Sequence, residues 1–87
     1  MSTVTIPKVR MSFLNSRRKG DRLVRSFCIN TRTLRRRLGL SQTVAAERAG
    51  ISRQAWSNVE RGLSPPNLDT VTRMADALGV EPLDLLT

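Results

Sequence analysis

Four polar side chains at helical spacing in the middle of the chain could form hydrogen bonds with the edges of nucleic-acid bases. They are Arg53, Gln54, Ser57 and Asn58. An arginine donates two hydrogen bonds to O6 and N7 of guanine, and a glutamine pairs with N6 and N7 of adenine. Asn58 follows Gln54 by one helical turn and therefore shares its face. The alternative interpretation is an ordinary solvated helix face, where polar residues are common.

The segment that carries these residues, 42–61, has the organisation of two helices crossing over a tight turn. Such a crossing needs a small residue where the backbones touch, which Ala46 provides, and a turn residue that tolerates positive φ, which Gly50 provides. Apolar residues occupy the positions that must face inward: Val44 or Ala45, Ala49, Ile51, Trp56 and Val59. The segment therefore predicts a helix-turn-helix whose second helix spans residues 53–61.

The rest of the chain supplies the elements that must hold this motif, and it predicts an all-α fold of five helices. The first helix is expected to begin at an Asp21 cap and to end at Gly39, because an apolar stripe runs between them. Ser41, Ser52 and Asn67 are suitable N-caps for the three helices that follow. These helices and the last one are predicted over residues 42–49, 53–61, 68–78 and 82–86.

Residues 1–20 are predicted to form a basic N-terminal arm, either flexible or containing a short strand, in front of a DNA-binding domain of residues 21–87. The strand is suggested by alternating apolar and polar residues on both sides of Pro7. Arg17, Arg18 and Lys19 on such a tether could contact phosphates or the minor groove of DNA. A tail with no such role is the alternative.

The positive charge is concentrated in the first half of the chain. Residues 1–40 hold eleven Lys and Arg against one acid, a net charge of +10, and residues 41–87 hold four against six, a net charge of −2. A basic half joined to a mildly acidic half is typical of a protein that binds a polyanion. A charged surface that only improves solubility has the same composition.

The composition also excludes several kinds of chemistry. The 87 residues include no histidine and no tyrosine, and the single cysteine, Cys28, cannot form a disulfide within the chain. Zinc sites built from Cys and His, and catalytic triads built on His, are thereby excluded. The carboxylates lie singly, and no nucleophile has a base beside it. We therefore predict a cytoplasmic protein that is not an enzyme and needs no cofactor or metal, with no segment approaching the ~18 apolar residues of a membrane span.

Together these motifs resemble the lambda-repressor and Cro type of helix-turn-helix domain, the XRE family. The resemblance covers about two-thirds of the chain, residues 27–86, and rests on Ser41-Gln42, Ala46, Gly50-Ile51-Ser52, Trp56, Val59-Glu60-Arg61-Gly62, Pro66-Asn67-Leu68 and Leu78-Gly79-Val80. It implies a five-helix fold that binds operator DNA, usually as a dimer, with the second motif helix in the major groove. Thr31 and Glu81 depart from the pattern, which usually has an aliphatic core residue and a Ser or Thr cap there.

Within this resemblance, other residues are predicted to contact phosphates or to hold the fold. The phosphate candidates are Gln42, Thr43, Arg61, Ser64 and Asn67. Groups at the start of a helix favour anions, while Ser64 and Asn67 could equally serve only as turn or capping residues. The family pattern pairs Arg35 with Glu60 as a structural ion pair. Trp56 and Cys28 are expected to be buried in the core.

The leading hypothesis is a sequence-specific double-stranded DNA-binding transcriptional regulator of bacterial or phage type, acting as a repressor by operator occupancy. Occupancy is expected because the chain ends right after the fifth helix and leaves no sensor domain. One such domain contacts few bases, so a homodimer is expected, joined through Leu83, Leu85 and Leu86 or through residues 4–13. The alternative is an antitoxin that neutralises a protein partner, a toxin, and autoregulates its own operon. A membrane partner is not expected.

Overall fold

The structure, a computed structural model, describes residues 19–87, which form five α-helices and no strand within that range. The helices are α1 (Lys19–Arg37), α2 (Gln42–Ala49), α3 (Arg53–Glu60), α4 (Leu68–Ala77) and α5 (Pro82–Leu86). The predicted all-α class is confirmed. None of these helices is both long enough and apolar enough to cross a membrane. The predicted strand, and Arg17 and Arg18 of the predicted arm, lie outside the described residues.

The first helix begins earlier than the sequence predicted. α1 starts at Lys19, so Asp21 lies inside the helix and is not its N-cap. The expectation of a cap at Asp21 was wrong because it assigned Gly20 to the arm and not to the helix. One glycine costs a helix only about 1 kcal/mol, which a long helix can absorb. Lys19, assigned to the arm, is therefore the first residue of α1.

The shorter helices begin at the predicted caps. Ser41 Oγ accepts a hydrogen bond from the main-chain N–H of Val44 at 3.1 Å, and Ser52 Oγ accepts one from that of Ala55 at 3.0 Å. These side chains satisfy donors that have no partner inside a helix. At α5 the cap is Glu81, whose main-chain N–H donates instead to the Asp84 carboxylate at 3.1 Å.

The core lies where all five helices meet. Trp56, Phe27 and Met74 are its largest fully buried side chains, and Cys28 is buried beside them as predicted. α1 packs against α3 and α5, α2 packs against α3 and α4, and α4 packs against α5. α3 packs against α1 and α2, and its residues Arg53 and Gln54 are exposed. One side of α3 therefore packs on the core, and the other side, which carries Arg53 and Gln54 and is called the front of α3, is exposed.

Leu85 belongs to this core and cannot serve as a dimer contact. It is only 2% exposed, and its carbonyl accepts a hydrogen bond from Asn30 Nδ2 of α1 at 3.0 Å. The expectation that Leu85 joins an interface between chains was wrong, because α5 turns this side chain toward α1. Leu83, two residues earlier, is 69% exposed.

Replacing Thr31 by valine is expected to stabilise the fold by about 1 kcal/mol, because an unsatisfied buried hydroxyl is costly. Thr31 is fully buried, and its Oγ1 has no hydrogen-bond partner among the described residues. Such a gain raises the Tm of a domain this size by about 4–8 °C, measurable by calorimetry. Thr33→Val, at an exposed position of the same helix, is the matched control and should change the Tm little. Equal shifts in the two variants would contradict the explanation.

Candidate nucleic-acid interface

Small side chains allow α2 and α3 to approach each other closely. Ala45 and Ala46 are 0% and 1% exposed, whereas Val44 is 39% exposed, so Ala45 is the inward residue of the two proposed. Gly50 ends α2 with a φ of 73°, a conformation that favours glycine. A Cβ atom at this position would lie 3.0 Å from a guanidinium nitrogen of Arg73. The backbone conformation therefore favours glycine in this turn, whereas the long side chain of Arg73 can move away from a Cβ atom.

The exposed front of α3 carries three of the four polar residues singled out in the sequence. Arg53 and Gln54 are exposed, and Asn58 is half-buried. Gln54 Nε2 donates to Asn58 Oδ1 at 2.9 Å, so these two side chains meet on one face. Ser57 differs from them, because it is only 9% exposed. Little of its surface is therefore available for contact with a base.

Gln42, at the start of α2, connects this front face to the interior. Its Nε2 donates to Glu60 Oε1 at 3.0 Å, and its Oε1 accepts from Arg53 Nη1 at 3.3 Å. Because a carboxylate only accepts hydrogen bonds, the amide nitrogen must face Glu60, and the amide oxygen is then directed at Arg53. Gln42 thus orients the guanidinium of Arg53. The sequence did not reveal this contact, since it depends on how α2 crosses α3.

Glu60 is the buried centre of this network. It is 3% exposed, and its carboxylate accepts from Arg35 Nε at 2.6 Å, from Arg35 Nη2 at 3.0 Å and from Trp56 Nε1 at 2.5 Å. Arg35 also donates through Nη1 to the carbonyl oxygen of Leu40 at 2.8 Å. The ion pair that the family pattern implied is therefore present. It joins α1, α3 and the segment that leads into α2.

The same contacts set the charge state of Glu60. Burial alone would raise the pKa of this carboxyl, but hydrogen bonds from Arg35, Gln42 and Trp56, together with the positive charge of Arg35, outweigh burial. They leave the pKa of Glu60 below its ordinary value of 4.5. Glu60 therefore stays ionised, and paired with Arg35, at neutral pH.

Acid is expected to weaken the fold through Glu60. Because its pKa is lower in the folded than in the unfolded protein, the stabilisation is complete above the ordinary value of 4.5 and is lost as the pH falls through the folded pKa. Urea unfolding followed by circular dichroism at a series of pH values below about 5 measures this loss. In Glu60→Gln the dependence on pH should be shallower. Identical slopes for the variant and the original chain would contradict this assignment.

The predicted phosphate-binding residues lie at the start of α2 and beyond the end of α3. Thr43 and Arg61 are exposed, and Ser64 is half-buried. Asn67 Oδ1 accepts from the main-chain N–H of Thr70 at 2.8 Å, so its capping role is observed. Ser64, Asn67 and Asn58 also line one hollow of about 210 Å³. The loop after α3 thus lies directly beside the exposed face of that helix.

The close crossing of α2 and α3, the turn at Gly50 and the exposed polar residues of α3 define a helix-turn-helix protein. Comparison with known proteins leads to the same class. Residues 32–86, more than half of the chain, match the helix-turn-helix domain family. The chain belongs to this family, and it is a DNA-binding transcriptional regulator. The resemblance to XRE-type regulators is thereby confirmed.

Two relatives are named as regulators of transcription. An uncharacterized HTH-type transcriptional regulator of Sinorhizobium fredii is 41% identical over 58 residues, which cover 67% of this chain and 75% of that protein. An uncharacterized HTH-type transcriptional regulator of Methanothermobacter thermautotrophicus is 42% identical over 50 residues, which cover 58% of this chain and 72% of that protein. Both alignments span most of each relative.

Solved structures share the same fold. The restriction-modification controller protein C.AhdI from Aeromonas hydrophila superposes with a TM-score of 0.68 at 35% identity, over 76% of this chain and 97% of that one. The hypothetical transcription factor NHTF from Neisseria superposes with a TM-score of 0.71 at 35% identity, over 75% of each chain. The arrangement of the helices is therefore similar to that of a controller protein and of a hypothetical transcription factor.

Proposed function

We propose that this regulator acts in the cytoplasm as a repressor that occupies an operator and reads it through the exposed face of α3. The observation that carries the proposal is the position of three side chains on that face, with Arg53 held by Gln42 and Gln54 bonded to Asn58. In a helix-turn-helix, the first turn of the second helix meets base edges in the major groove. Arg53 would then recognise a guanine, and Gln54 and Asn58 would recognise neighbouring bases.

Residues around this face would hold the DNA backbone, and a second chain would double the contact. The proposed phosphate contacts are Gln42, Thr43, Arg61, Ser64 and Asn67, which lie at the start of α2 and beyond the end of α3. One α3 reaches only a few base pairs, so two protomers related by a two-fold axis would bind half-sites about 10 bp apart. Leu83 offers an exposed apolar contact for this purpose. The likeness to a restriction-modification controller protein supports a role in gene control.

Selection of bound sequences from a random pool of duplex DNA is the experiment that tests this function. We expect enrichment of a near-palindromic site, and two protomers per duplex by sedimentation at saturation. A single protomer on the best site would contradict the dimer, and no enrichment would contradict sequence-specific binding. A stoichiometric protein that copurifies from the native host would favour the antitoxin alternative instead.

A further inference from the structure

Four arginines lie along one face of α1 and play no part in the base-reading surface. Arg22, Arg25, Arg32 and Arg36 are separated by steps of three, seven and four residues, with Ile29 in the same row. Residues at steps of three and four share a helix face, so the row extends about 21 Å. Arg22, Arg32 and Arg36 are exposed. Residues 26–37 contain no Asp or Glu, so the part of α1 that carries Arg32 and Arg36 provides no compensating charge for these two arginines.

The end of the row that is nearest to α3 forms a cleft. Arg32 and Arg36, with Thr33 between them, line a cleft of about 370 Å³ that Glu60 also borders. Glu60 is already paired with Arg35, and the other ion pair among the described side chains joins Arg73 to Asp69. Neither pair involves Arg32 or Arg36. Two positive charges one helical turn apart repel each other, and an anion between them would remove that repulsion.

The cleft adjoins the network that leads to the front of α3. Glu60 accepts from Gln42, and Gln42 accepts from Arg53, so two successive hydrogen bonds connect a border of the cleft with the first turn of α3. Half to two-thirds of the hydrogen bonds between proteins and DNA go to phosphates and sugars, and arginine is one of their usual donors. The planar guanidinium group can contact a phosphate through two parallel hydrogen bonds.

From this juxtaposition we infer that Arg32 and Arg36 of α1 form a phosphate-binding site for the DNA backbone at the margin of the operator. The inference rests on the proposed function and adds α1 to the DNA-binding surface. Contacts to phosphates carry no sequence information directly, so this site strengthens binding to any duplex. Arg25 and Arg22 continue the same row away from α3 and would extend the contact along longer DNA.

The double variant Arg32→Gln/Arg36→Gln tests this site on the full chain. Its affinity for a fluorescent duplex of about 40 bp is measured by anisotropy over a range of KCl concentrations, once with the selected operator and once with random sequence. Because each lost phosphate contact removes about 0.9 from the slope of log affinity against log salt, we expect the slope to fall by about 1–2 on both duplexes. Affinity near physiological salt should fall about tenfold. The selected operator sequence should not change.

Arg37→Gln is the matched control, because Arg37 is exposed in the same last turn of α1 but lies on another side of the helix. This variant should retain nearly the original slope. The variant Arg32→Lys/Arg36→Lys keeps both positive charges, so its slope should be close to that of the original chain. The inference is overturned if the double Gln variant has the same slope of log affinity against log salt as the original chain. It is also overturned if that slope is as steep as the slope of Arg37→Gln.

Two further results complete the test. One distinguishes a DNA phosphate from a free anion as the group that binds in the cleft, and the other distinguishes failure of this inference from failure of the proposed function. Inorganic phosphate could change Trp56 fluorescence in the original chain but not in the double variant, while the two proteins show the same salt slope for DNA binding. In that case the cleft binds a free anion, and the inference is overturned. If the original chain binds duplex DNA but selects no sequence, the proposed function fails. The comparison of slopes on random duplex then still decides whether Arg32 and Arg36 bind phosphates.

Discussion

Replacing Glu60 by glutamine is expected to destabilise the fold by about 3–5 kcal/mol, because Arg35 would remain buried without its counter-charge. Glu60 is 3% exposed, and its carboxylate accepts hydrogen bonds from Arg35, Gln42 and Trp56. A neutral amide cannot accept at both ends, so at least one of these donors loses its partner. Urea unfolding followed by far-UV circular dichroism measures the loss.

The surface ion pair on α4 supplies the control for this prediction. Arg73 and Asp69 lie one turn apart with an N–O distance of 2.8 Å, and their side chains are 49% and 73% exposed. Asp69→Asn should therefore cost about 0.5 kcal/mol or less. An apolar replacement of both buried partners, Arg35→Met/Glu60→Leu, should recover stability relative to Glu60→Gln. Similar losses for Glu60→Gln and Asp69→Asn would show that burial gives the Arg35–Glu60 pair no special importance.

Replacing Gln54 by alanine is expected to weaken binding to the selected operator by about 1–3 kcal/mol, roughly five- to 150-fold. Gln54 is exposed on the front of α3 and carries no charge, so its loss should remove base recognition and little general affinity. A second selection from random DNA with Gln54→Ala should show relaxed preference at one position in each half-site. Affinity for random duplex should change much less.

Arg61→Ala provides the contrast, because Arg61 is exposed just beyond the end of α3 and is proposed to contact a phosphate. This variant should weaken binding to operator and to random duplex by similar factors, without changing the selected sequence. Arg53→Ala should show both effects, since Arg53 is a cation on a base-reading face. If Gln54→Ala selects the original operator at every position, α3 does not read the groove as proposed.

The local features of the fold could be predicted from the sequence because short-range chemistry determines them. Ser41 and Ser52 cap their helices through hydrogen bonds to a residue three positions ahead, so the signal lies within four residues. Gly50 ends α2 because its conformation suits few other residues. The bounds of α2 to α5 accordingly differ from the predicted ones by one residue at most. The inward position of Trp56 followed from its place in the motif.

Contacts between helices could not be predicted in the same way. The bond between Gln42 and Arg53 joins residues eleven positions apart and requires the observed crossing of α2 over α3. Ser57 was grouped with the exposed residues by spacing alone, yet it is 9% exposed. Leu85 was proposed as a dimer contact because it is apolar and lies near the C-terminus, yet it is only 2% exposed. Periodicity indicates which residues share a face, but only packing determines which face is covered.

The burial of Cys28 makes the thiol a natural probe of how often the helices separate. Cys28 is 1% exposed, and burial raises its pKa to about 11. Since the thiolate is the reactive form, only about one folded molecule in ten thousand would hold a reactive sulfur at neutral pH. We therefore expect alkylating reagents to modify this cysteine when α1 has moved away from the core. The rate of alkylation thus reports the frequency of such openings without any label being added to the chain.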